Sequence, residues 1–202
     1  MEQHELDISP AESPGQPGAF ILVMGVCGAG KSHVGRRLAA RFGLRFVEAD
    51  DYHSARNRAA MSAGQPLTDA ERLPWLDAVA AAAIAARHET GRPVVIACSA
   101  LRRVYRDRLR GQLAGMHVFH LAGSRALIAE RLVSRRDHFV GPALLDSQLA
   151  ILEPLEPDEE GDVFDIAASS DVIVDRALER LAALLAAADG LPGQGRPSAV
   201  RP

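Results

Sequence analysis

Residues 25–32 read Gly25-Val26-Cys27-Gly28-Ala29-Gly30-Lys31-Ser32, directly behind the apolar run 19–24. No other segment restricts the fold as much. A continuous apolar run ending in glycine predicts a strand buried on both faces, as in a parallel sheet. Val34, Leu38 and Phe42 then repeat at four-residue spacing, which predicts a helix over 31–42. The segment is thus GxxxxGK[ST] between a buried strand and a helix, the context a phosphate cradle requires. Its glycines allow successive backbone N–H groups to turn inward, and the helix N-terminus adds partial positive charge. Lys31 is expected to meet the outer phosphates of ATP, and the Ser32 hydroxyl a Mg²⁺ ion.

The rest of the chain alternates in the same way. Apolar segments at 44–50, 93–100, 116–122 and 163–167 read as strands. Segments at 51–62, 74–88, 102–112, 124–136, 142–152 and 171–187 read as helices, with Val172–Asp175 an alternative strand. This is an α/β protein: a parallel β-sheet flanked by helices, with its ligand at the carboxyl ends of the strands. Residues 1–18 and 189–202 are rich in Pro and Gly without a buried face, and read as disordered tails around a single domain at 19–188.

Composition excludes several classes. Among 202 residues, 23 Lys and Arg against 26 Asp and Glu give a net charge of −3. That lacks the basic excess of a nucleic-acid binder. Two cysteines, Cys27 and Cys98, form neither a disulfide framework nor a zinc motif, and both are expected to be small buried residues. The N-terminus has no signal-peptide pattern and no apolar run can span a bilayer, so a cytoplasmic protein without membrane contact is expected. No NKxD motif accompanies the cradle, and the DxxG match at Asp158–Gly161 falls in an acidic loop. A GTPase is excluded. No acid ends the third strand, as ATPase motors usually require. A small P-loop kinase is what remains, in which positioning and charge neutralisation carry most of the catalysis.

A kinase also needs a carboxylate for the acceptor hydroxyl. Glu48-Ala49-Asp50-Asp51-Tyr52-His53 closes the second strand at the ligand edge. Asp50 is the candidate acceptor-orienting acid, and Asp51 reads as a helix N-cap.

Four segments taken together are more specific than the cradle: MGVCGAGKS, EADDYHSARNRAAMSAGQPLTDAERLPWL, CSALRRVYRDRLR and RRDHFVGPALLDSQLAILEPLEPDE. In order and spacing the chain resembles the gluconokinase family over about residues 20–180. The resemblance implies a nucleoside- and shikimate-kinase-like P-loop fold with a helical lid, a homodimer, and ATP-dependent phosphorylation of the 6-hydroxyl of D-gluconate. It implies an acceptor role for Asp50, with His53 and Asn57 as further substrate-binding residues. Arg131 is expected on the nucleotide, Arg135 on the transferring phosphoryl group, and Arg106 on the gluconate carboxylate, because guanidinium forks suit both anions. Glu48 stands where relatives carry Asp, which leaves a water-mediated metal role open. Ala60 replaces a common lysine. Two other readings stay in view: a kinase of another small hydroxy acid such as shikimate, and a non-catalytic ATP-binding module.

Overall fold

The computed structural model describes residues 17–63, 65–133 and 142–189. Five strands form one parallel sheet: β1 Phe20–Met24, β2 Arg45–Glu48, β3 Val94–Ala97, β4 Met116–Ala122 and β5 Gly161–Asp165. Their spatial order is β2-β3-β1-β4-β5. Seven helices connect them: α1 Lys31–Phe42, α2 Ala55–Ser62, α3 Asp69–Thr90, α4 Arg103–Arg110, α5 Arg125–Val133, α6 Pro142–Ile151 and α7 Ser170–Asp189. A 3₁₀ turn, Ala49–Tyr52, sits between β2 and α2.

The alternation of side chains along a strand builds the two-sided core. From β1, Leu22 and Met24 face a layer holding Trp75, Leu76 and Val79 of α3 and Tyr105 and Leu109 of α4. Ile21 and Val23 face the other layer, with Val34 and Leu38 of α1, Ile128 of α5, Leu145 of α6 and Leu181 of α7. Both faces of β1 are covered, which is why its sequence is apolar without a break. Among the described residues no helix is long and apolar enough to cross a membrane.

The structure revises several boundaries. The segment 51–62 is not one helix: the 3₁₀ turn ends at Tyr52 and α2 begins at Ala55. Ser54 caps α2 by accepting the Asn57 N–H at 3.1 Å, so neither Asp50 nor Asp51 is the cap. Helix α3 starts at Asp69, ahead of Pro74. A reciprocal capping box between Thr68 and Glu71 fixes that start. Val172–Asp175 belongs to α7, with Ile173 and Val174 buried against the sheet. Both expected tails lie almost wholly outside the described residues, as do Arg135 and Asp137-His138-Phe139, where the lid is expected.

Candidate active site

The carboxyl ends of β1, β2 and β3 gather the candidate residues. Beyond β1 the chain turns through the glycine loop into α1. Gly28 has φ +81°, and a Cβ there would lie 2.8 Å from Leu132 Cγ. Gly30 has φ +102° and caps α1 without a side-chain hydrogen bond. Side chains would strain both turns, and the lack of a capping side chain leaves the first amides of α1 for a ligand. The loop therefore fits an anionic phosphate chain. Lys31 Nζ folds back to donate to Val26 O at 3.1 Å. Burial pushes the Lys31 ammonium below its usual value, and the nearby Asp50 charge is the main opposing influence.

Burial raises the Glu48 carboxyl above its ordinary value, and the neighbouring Ser32 hydroxyl works against that rise. Arg36 lies 3.4 Å from the same carboxylate. Asp50, in the 3₁₀ turn, has an exposed side chain. Cys98 lies buried beneath this cluster, and its thiol is pushed up to about 12 by burial. Cys27, by contrast, is only half-buried. Sequence reasoning thus placed Lys31, Ser32, Glu48 and Asp50, and the structure brings them together.

The turn that carries Asp50 is built against the single tryptophan. Trp75 Nε1–H donates to Ala49 O at 2.8 Å, fixing the turn that carries Asp50. The His53 ring stacks on Trp75 at 4.2 Å and 14°. His53 Nε2 stands 3.9 Å from Asp50 Oδ1, and its buried Nδ1 has no hydrogen-bond partner among the described residues. Burial lowers the His53 pKa, with Asp50 pulling the other way. Asn57 is buried, and its side-chain amide donates to Glu71 O at 3.2 Å. That bond engages one end of Asn57 in joining α2 to α3.

Two of the expected arginines have partners within the protein. Arg131 donates to Ile166 O and Ala168 O, in the loop after β5. Arg106 is not placed to receive a substrate carboxylate: its side chain is fully buried. Nε and Nη2 form a fork on Glu159 at 2.7 Å each. Nη1 serves Leu101 O and Glu153 O, with a longer contact to Ala100 O, and Nη2 also serves Pro154 O. All five N–H directions are spent within the protein. The physical reason is the acidic segment after α6, which folds back over α4 and supplies the anion. Asp158 is drawn in as well, by a two-bond pair with Arg103. Arg106 supports the turn after β3, where Ala100 has φ 40°. That backbone is strained for a residue with a Cβ and stands at the ligand edge of the sheet.

Residues 20–155 match the family described as AAA domain. A "Probable gluconokinase" of Mus musculus is 44% identical over 167 residues, covering 71% of this chain and 84% of the relative. This chain belongs to the gluconokinase family. The "Gluconokinase" of Gluconobacter oxydans is 42% identical over 159 residues, covering 79% of this chain and 85% of that one. The crystal structure of a gluconokinase from Sinorhizobium meliloti superposes with TM-score 0.74 at 42% identity, covering 84% and 94% of the two chains. Gluconokinase membership accounts for the coexistence of a phosphate cradle with an acid-bearing turn beside it.

Sequence reasoning missed Gln148 and Glu159. Gln148 Oε1 accepts the Cys27 backbone N–H at 2.6 Å, directly on the cradle. The available signal was its position between Leu145 and Leu149, on the face of α6 that enters the core. Glu159 left a fainter trace, an acid in a segment otherwise full of solvated acids.

Proposed function

We infer that this chain is an ATP-dependent gluconokinase, transferring the terminal phosphoryl group of ATP to the 6-hydroxyl of D-gluconate. The observation that carries the reading is the placing of Asp50 on the turn beside Lys31, within a chain of this family. The hydroxyl oxygen forms a bond to the terminal phosphorus as the bond to the ADP oxygen breaks. Asp50 orients the hydroxyl and accepts its proton. Lys31 meets the charge that grows on the phosphoryl oxygens. His53 and Asn57 bound the acceptor pocket, and Arg131 serves the nucleotide side. Arg135 belongs to the same reading, on the phosphoryl group.

Ser32 and Glu48 are neighbouring hard oxygen donors that would hold a Mg²⁺ ion, Ser32 through its hydroxyl and Glu48 by way of a water. When bound, that ion supplies charge neutralisation between the phosphates. Among the described residues there is no cluster of three or more His, Cys, Asp or Glu that could hold a metal. The kinase unit occupies about residues 19–188 and acts as a cytoplasmic homodimer in this reading.

ADP release measured across a panel of sugar acids and shikimate tests the proposal. Turnover with gluconate above the other acids is expected. Turnover confined to another acid, or ATP binding without turnover on any of them, would overturn it.

A further inference from the structure

The Cys27–Gln148 hydrogen bond places a side chain from α6 on the phosphate cradle, and α6 is firmly held. Leu145 is fully buried, and Leu149 packs against the same core cluster. Arg125 of α5 grips Asp146 with two bonds, at 2.5 and 2.8 Å. Past the end of α6, Glu153 N donates to Leu101 O at 2.8 Å, and Arg106 holds Glu153 O and Pro154 O. Gln148 is thus presented to the loop by the part of α6 that is anchored on both sides of it.

Which part of the phosphate chain this position meets follows from Lys31. Its ammonium reaches back to Val26 O, next to Cys27. The P-loop lysine meets the outer phosphates. The Cys27 amide therefore belongs to the terminal end of the phosphate chain. A phosphoryl oxygen and a carboxamide oxygen are both acceptors, so they compete for that N–H and repel each other. A carboxamide also carries two donors on its other end. Rotation about its last torsion, which is soft, exchanges the two ends without moving α6.

We propose that Gln148 is a terminal-phosphate binding residue: its carbonyl closes the Cys27 amide without ATP, and its amide nitrogen donates to the transferred phosphoryl group with ATP. The proposal rests on the kinase reading above. ADP has no terminal phosphate, so it leaves the Cys27–Gln148 bond in place. Gln148 consequently separates ATP from ADP.

The experiment compares affinities for Mg²⁺-AMPPNP and Mg²⁺-ADP by titration calorimetry, alongside kcat with gluconate. Gln148→Glu can still accept from Cys27 and so keeps the fold, but it cannot donate and sets a like charge against the phosphoryl group. Its AMPPNP affinity is expected to fall at least about 30-fold while ADP changes less than about threefold. Its kcat should fall by about 10²–10³, the usual loss for one donor to a developing oxyanion. Gln148→Leu, which carries no charge, should weaken AMPPNP by about tenfold and leave ADP unchanged. An unchanged AMPPNP-to-ADP ratio in both variants overturns the proposal. So does tighter AMPPNP binding with intact kcat in Gln148→Leu, since the side chain would then only obstruct the loop. Both affinities are readable whichever acid is the acceptor, so failure here is distinct from failure of the gluconokinase reading.

Discussion

Replacing Arg106 by Met separates support from substrate binding. The substitution removes a buried fork on Glu159 and the donors serving Leu101 O, Glu153 O and Pro154 O. Breaking a buried ion pair costs about 3–5 kcal/mol because one charge stays behind. Here Glu159 keeps Arg110 Nη2 at 2.9 Å and the Glu156 N–H at 3.1 Å, which points to the lower part of that range. Each orphaned carbonyl that water does not reach adds about 1–3 kcal/mol. A total of about 4 kcal/mol is reasonable. At about 2–4 °C per kcal/mol for a domain of this size, Tm should fall by about 8–16 °C. Circular dichroism at pH 7 without ligands measures it, and gluconate KM is then taken at a temperature where the variant is folded. An unshifted Tm with a KM raised tens-fold would refute the argument and return Arg106 to the substrate. The same pair sets an acid limit. Although burial pushes the Glu159 carboxyl up, the Arg106 hydrogen bonds hold it down at about 2, below its ordinary 4.5. Its contribution is therefore complete above pH 4.5 and is lost as pH falls toward 2.

Three further outcomes are expected. Lys31→Met should lower kcat by about 10²–10³ with Tm little changed; a near-normal kcat would remove the lysine from phosphoryl transfer. Asp50→Asn should leave Tm and ATP affinity intact, because Ser54 supplies the helix cap. Its gluconate-dependent ADP release should drop by about 10²–10⁴, and normal turnover would shift attention to Asp51 or Glu48. Trp75 is the single tryptophan and stacks on His53, so its fluorescence should report His53 protonation. The midpoint should lie below about pH 6.5, since burial disfavours the charged ring; a midpoint above that, or none in His53→Gln-sensitive form, would contradict the packing.

Local patterns were enough for much of this molecule. The apolar run before Gly25 and the segment 116–122 gave β1 and β4 nearly to the residue, because buried parallel strands carry unbroken apolar sequence. The cradle was legible because its chemistry needs contiguous residues. The start of α3 was not: Pro74 looks like an opening residue, yet Thr68 and Glu71 cap each other earlier. Arg106 was misread because five arginines crowd residues 102–110. Which of them turns inward is decided by Glu159, about fifty residues away. Gln148 escaped for the same reason: nothing near it in sequence announces that Cys27 lies across from it.

The central place of β1 also has a bearing on synthesis. This strand leaves the ribosome well ahead of its neighbours in the sheet, which begin only at Val94 and Met116. Until both arrive, five of the most apolar residues in the chain have no hydrogen-bonding edge to join. Such delayed, non-local pairing slows folding and leaves nascent chains open to aggregation. Nucleotide cannot rescue these early intermediates, because the glycine loop takes its shape from a strand that is still waiting for its sheet.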